Sequence, residues 1–220
     1  MEKSNSFRLK VWGENACFTR PEMKVERVSY DIMTPSAARG IMEAILWKPA
    51  IHWEILQIDV LNPIRWESVR RNEVGAVIPI NSIKSAMKNK TGKLGIYIEK
   101  ERQQRAGLLL RDVSYVIHAR FKMTEKKGNE DSVVKFEQMF IRRASQGQCF
   151  HRPYFGCREF PVNFEFMPRD KEKIPTIDES RDLGWMLFDI DFSKKEPIPQ
   201  FFQANMKMGT IDLRTVEVRS

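Results

Sequence analysis

The stretch Val113-Ser-Tyr-Val-Ile-His-Ala-Arg-Phe-Lys-Met123 alternates without a break. Successive side chains of a strand point to opposite faces, so Val113, Tyr115, Ile117, Ala119, Phe121 and Met123 share one side while Ser114, Val116, His118, Arg120 and Lys122 share the other. One face is core and the other is strongly basic. That is the pattern of an antiparallel sheet covered by helices on one side only.

The flanking sequence fits such a sheet. Phe7-Arg-Leu-Lys-Val-Trp12 also alternates, with Arg8, Lys10 and Trp12 on the polar side. Thr34 is placed to cap a helix whose first position is Pro35, and Ala38, Ile41, Met42 and Ile45 follow at helical spacing. Pro49 disfavours helical geometry at Lys48, so this helix should stop near Leu46 or Trp47. Residues 51–61 read as a strand whose apolar parity changes near Leu56, as a bulge requires. Residues 131–144 read as a helix carrying Val133, Phe136, Phe140 and Ala144 on one side.

Residues 63–107 show no sustained period and are expected to be a basic insertion. Beyond Pro153 the pattern is β, with Phe160, Val162, Phe164 and Phe166 in one strand and Met186, Phe188, Ile190 and Phe192 in another, read together as a small second sheet. The expected fold is therefore α+β: a ferredoxin-like, RNA-recognition-like domain over residues 1–150, followed by a small antiparallel β-sheet domain over 151–220.

The chain has 220 residues, a net charge of +8 and three cysteines. An odd cysteine count at irregular spacing fits neither a disulfide framework nor a four-thiolate metal site. No apolar run approaches the ~20 residues needed to span a bilayer, so a soluble, cytoplasmic protein without a membrane partner is expected. Thirteen basic residues against five acidic ones lie between Arg65 and Lys122, an excess equal to that of the whole chain. Such a segment reads as a footprint for phosphates. Phosphate-loop and dinucleotide motifs are absent, and His52, His118 and His151 lie at no zinc-binding spacing, so neither cofactor nor metal is expected.

A basic chain without metal can still cut RNA, because RNA carries its nucleophile in the 2′-hydroxyl. His118 is the natural acid or base, and Arg120 and Lys122 lie on the same face to hold the scissile phosphate. Arg20, Lys24 and Arg27 on the opening loop, Arg39 early in the first helix, and Trp47 and Lys48 at its end are the candidate binding residues. Taken singly, each also fits an ordinary surface or core position.

Several motifs resemble one family. They are Phe18-Thr-Arg-Pro-Glu-Met-Lys-Val-Glu-Arg-Val-Ser-Tyr30, Leu46-Trp-Lys-Pro49, Arg70-Arg-Asn-Glu73, Arg102-Gln-Gln-Arg105, Phe155-Gly-Cys-Arg-Glu-Phe-Pro161 and Asp182-Leu-Gly-Trp-Met-Leu-Phe-Asp-Ile-Asp191. Together they resemble the Cas5d branch of the CRISPR-associated proteins. The resemblance implies metal-independent cleavage of the pre-crRNA repeat stem-loop, leaving a 2′,3′-cyclic phosphate. It also implies retention of the crRNA 5′ handle within a type I-C interference complex that holds backbone and large subunits. It adds Arg70, Arg71 and Arg105 to the RNA-binding candidates and leaves DNA binding open. Relatives place a catalytic tyrosine just before Trp-Lys-Pro, where this chain has Leu46, so the catalytic role passes to His118 and Arg120, with Tyr30 and Tyr115 as other candidates. The alternatives are a non-catalytic handle-binding assembly subunit and a general nucleic-acid-binding protein.

Overall fold

The computed structural model describes residues 2–23, 25–91, 94–168, 174–193 and 196–220. Its main sheet is built on β1 (Phe7–Ala16), β2 (Ile51–Val60), β4 (Arg102–Met123), β5 (Asn163–Met167) and β8 (Thr210–Asp212), in the order β5-β1-β4-β2-β8, with every neighbouring pair antiparallel. Helices α1 (Pro35–Ile45) and α4 (Val133–Ser145) follow β1 and β4 in the chain. β3 (Trp66–Val74) pairs with the first half of β4, from Trp66 opposite Leu110 to Val74 opposite Arg102. A second sheet, β6 (Arg181–Asp191), β7 (Ile198–Met206) and β9 (Val218–Arg219), lies beside α1. No described helix is long and apolar enough to cross a membrane.

The alternating faces of β1 and β4 account for the core. Phe7, Leu9 and Val11 join Tyr115, Ile117, Ala119 and Phe121, all buried. At the centre Phe7 and Trp53 meet Phe140 of α4 at ring separations of 4.8 and 4.9 Å. The Trp53 indole donates to the carbonyl of Leu46 at 2.8 Å, which satisfies both a buried donor and the end of α1.

α1 starts as its sequence dictates: Thr34 Oγ1 accepts from the Ala37 amide at 3.3 Å, with Pro35 in the first turn. Thr34→Ala should cost about 1 kcal/mol. A thermal melt should fall by roughly 2–4 °C, as expected for a chain of this size.

One expectation is filled in and one is corrected. Over its described residues, the expected insertion at 63–107 is an arm that holds β3, α2 (Ile80–Asn89), α3 (Ile98–Glu101) and the first residues of a 22-residue β4. The period was missing because both faces of β3 meet solvent along most of its length. The strand around Phe164 belongs to the main sheet, where β5 pairs with β1 from Trp12 opposite Asn163 to Arg8 opposite Met167. The boundary drawn at residue 150 is therefore crossed by β5, and again by β8.

Candidate nucleic-acid interface

The outer face of the main sheet gathers most of the residues proposed for chemistry. His118 of β4 stands opposite Arg8 of β1 and Gln57 of β2. Its Nε2 lies 2.8 Å from Asp59 Oδ2, and Asp59 is buried. Asp59 also accepts from Gln57 Nε2 at 2.7 Å and Thr210 Oγ1 at 2.8 Å. Burial opposes charge on this carboxyl, but the hydrogen bonds from His118, Gln57 and Thr210 outweigh it and hold the group below its ordinary range. An ionised Asp59 accepts only, so His118 donates from Nε2, and in the neutral imidazole Nδ1 is the nitrogen that carries the lone pair.

Arg120 Nε donates to Glu54 Oε2 at 2.8 Å, and Lys122 pairs with the other carboxylate oxygen. Burial opposes the Glu54 charge, yet Lys122 and Arg120 draw its titration down. Two cations share one anion, so the trio retains a net positive charge beside His118. Arg8 donates to the carbonyl of Pro168, and Lys10 stands 5.3 Å from the ring centroid of Trp12. The face is not open throughout, because Ser114 and Val116 are buried.

Asp59 titrates lower in the folded chain than the ~3.9 of a free aspartate. Its interactions therefore stabilise the fold fully above that range, and their contribution is lost as pH falls through the folded value. The stability gap between wild type and Asp59→Asn, measured by chemical denaturation, should be wide at pH 7 and shrink progressively as pH falls below ~4.

The other binding candidates divide between two places. At the base of the arm, Arg27 and Arg71 both pair with Glu159, and Arg105 pairs with Glu73 at 3.2 Å. Arg70 points from the exposed side of β3. Arg20 is turned inward, 3.4 Å from Asp31 and stacked 4.6 Å from the Tyr30 ring centroid. Lys24 lies outside the described residues.

Arg39 and Trp47 line a cleft of about 760 Å³ between α1, the 150–156 loop and β6. Lys48 is exposed beside Trp47. This cleft also collects Phe150, His151, Tyr154 and Phe192, which sequence reasoning missed. The run Phe150-His-Arg-Pro-Tyr154 was the available signal, an aromatic-rich segment next to a helix end. A smaller cavity of about 260 Å³ holds His52, Arg120 and Arg214, and shares Arg39 and Asp189 with the larger one. Among the described residues no three His, Cys, Asp or Glu side chains form a metal-binding group.

The tyrosine candidates are both enclosed. Tyr115 is fully buried against Phe18 and Phe155, and burial pushes its hydroxyl well up. Tyr30 is buried under Arg20, and its titration is likewise raised by burial. Leu46 is wholly buried and belongs to the core.

Residues 6–214 match the Cas_Cas5d family model, described as a CRISPR-associated protein (Cas_Cas5). A curated protein of Mannheimia succiniciproducens, the CRISPR pre-crRNA endoribonuclease Cas5d, is 54% identical over 216 residues, covering 96% of this chain and 95% of that protein. The protein of the same name from Thermus thermophilus is 40% identical over 224 residues, covering 94% and 90%. A solved structure of a CRISPR-associated protein superposes with a TM-score of 0.72 at 22% identity, covering 100% of this chain and 99% of the other.

Proposed function

The chain belongs to the Cas5d family of CRISPR-associated proteins, and from that premise we propose that it is an endoribonuclease that cuts pre-crRNA at the repeat. The observation that carries the reading is the Asp59-held His118 next to Arg120 and Lys122 on the outer face of the main sheet.

Nδ1 of His118 takes the proton from a ribose 2′-hydroxyl. The resulting oxygen attacks the adjacent phosphorus, the bond to the 5′-oxygen breaks, and that oxygen takes up a proton from solvent water. The products are a 2′,3′-cyclic phosphate and a 5′-hydroxyl. The net positive charge of the Glu54, Arg120 and Lys122 group offsets the charge that builds on the phosphate oxygens. The base and the phosphate-stabilising charge both come from side chains of this protein, so cleavage should proceed in EDTA.

The order β5-β1-β4-β2, with α1 after β1 and α4 after β4, supports reading the main sheet as ferredoxin-like. The second domain is then β6, β7 and β9, rather than all of residues 151–220. We further propose that the protein keeps the 5′ handle and acts as a subunit of the type I-C complex in the cytoplasm. The arginines Arg27, Arg70, Arg71 and Arg105 at the arm would meet the RNA backbone.

The test is incubation of the protein with its repeat RNA in EDTA, alongside the same RNA with a single 2′-deoxy nucleotide at the cut. Cleavage to a cyclic phosphate that the deoxy substitution abolishes is the expected result. Tight binding without cleavage would instead make the chain a handle-binding assembly subunit. Equal affinity for an all-DNA repeat, falling steeply with salt, would make it a general nucleic-acid binder.

A further inference from the structure

The cleft between α1 and the second sheet takes no part in the chemistry assigned above. Three aromatic rings from separate elements stand around it: Trp47 at the end of α1, Phe150 after α4 and Phe192 after β6. They are 58%, 87% and 68% exposed. Rings this open add little to the core, and their convergence on one cavity marks a binding surface.

Two of the three are held on a rigid support. The Phe150 amide donates to the carbonyl of Ala44 at 2.8 Å, and Arg143 of α4 donates to that of Ile45 at 2.9 Å, which fastens both the loop and the helix before it to the last turn of α1. The rings of Phe150, His151 and Tyr154 continue along one wall at centroid spacings of 6.1 and 6.4 Å.

The polar floor is equally fixed. Arg39 is gripped by both oxygens of Asp189, at 2.7 and 3.1 Å, and by Glu43 Oε1 at 2.8 Å. Its guanidinium is committed to carboxylates, so Arg39 ties α1 to β6 rather than standing ready for a phosphate. Glu43 Oε2 accepts no hydrogen bond from any described residue, which leaves an acceptor in the lining of the same cleft as the rings.

We propose that this cleft binds an unpaired nucleobase of the RNA, stacked against Trp47 and Phe192, with an amino group of the base donating to Glu43. The inference rests on the RNA-processing role proposed above. Stacking needs only the π-face that every base offers, and the carboxylate then prefers adenine, cytosine or guanine to uracil. A volume of about 760 Å³ suits a small ligand rather than a duplex. The route also fits a nucleic-acid strand. Arg39 and Asp189 separate this cleft from the cavity that contains Arg120, two residues from His118 on the same strand face. A strand whose scissile phosphate lies at His118 can round the edge of β2 and place a neighbouring base under Trp47.

The experiment uses the full chain and repeat RNAs carrying 2-aminopurine at successive unpaired positions. One position should be quenched on binding, and Trp47→Ala and Phe192→Ala should each relieve that quenching. Each variant should also weaken RNA binding about five- to a hundredfold, the range of a lost stacking partner. Both side chains are exposed, so neither variant threatens the fold.

Absence of quenching at every position would overturn the pocket. So would variants that bind RNA like wild type, including variants that instead lose assembly with protein subunits. If wild type cleaves the repeat while no probe is quenched, only the pocket fails. If wild type neither binds nor cleaves it, the RNA-processing role fails as well.

Discussion

His118→Ala is expected to slow cleavage of the repeat RNA by about 10²–10⁴-fold, the usual contribution of a positioned acid or base, while leaving RNA affinity within a fewfold of wild type. The imidazole is held by a buried carboxylate through Nε2, which fixes both its tautomer and its direction. Its removal leaves Asp59 with Gln57 and Thr210 as donors, so the carboxylate keeps two of its three side-chain partners and the fold should persist. Single-turnover cleavage at saturating protein separates the chemical step from binding. Added imidazole should restore part of the lost rate to the alanine variant. Asp59→Asn should lower the rate without abolishing it, and should alter the pH profile, because it acts through the imidazole and touches no substrate. Undiminished cleavage by His118→Ala would remove the assigned base and leave the Asp59 contact a purely structural one.

The sequence revealed the parts of this site without revealing how they meet. The alternation of residues 113–123 places His118 on the polar face because the opposite face is core, and burial on one side is what makes a period readable. The parity break at Leu56 appears in the structure as a shift of register between Ile55 and Gln57. Its consequence is chemical. The extra residue brings Gln57 and Asp59 to the same face as Glu54 and so delivers the carboxylate that holds His118. The pattern located the bulge, but only the pairing with β4 showed what the bulge does. β5 was readable as a strand and its neighbour was not, since a local apolar pattern carries no address. The aromatic cleft was hidden for the same reason: Trp47, Phe150 and Phe192 are far apart in the chain and meet only after β6 packs on α1.

The loop that forms one wall of that cleft depends on a close backbone approach, and Gly156→Ala is expected to be among the most damaging single substitutions in the chain. Phe155 is fully buried; its ring centroid lies 6.0 Å from those of both Phe18 and Tyr115, and its carbonyl accepts from the Cys17 amide at 3.1 Å. Gly156 must then turn immediately, and does so at φ +76°, with an added Cβ falling 1.9 Å from the Cys17 carbonyl oxygen. Neither partner is the end of a flexible side chain, so the clash can be relieved only by lifting the loop from β1. The left-handed conformation alone costs an L-residue about 1–2 kcal/mol, and overpacking adds about 1–3 kcal/mol. A loss of about 2–5 kcal/mol should lower the melting temperature by roughly 4–20 °C. Gly147 provides the control: it has φ +65° but open space around the added Cβ, so Gly147→Ala should cost only the backbone part, about 1–2 kcal/mol. Equal losses for the two variants would mean that backbone conformation, and not contact with Cys17, sets the requirement for glycine. A larger loss at Gly156, accompanied by weaker binding of single-stranded RNA in the folded fraction, would tie the docking of this loop to the aromatic wall it carries.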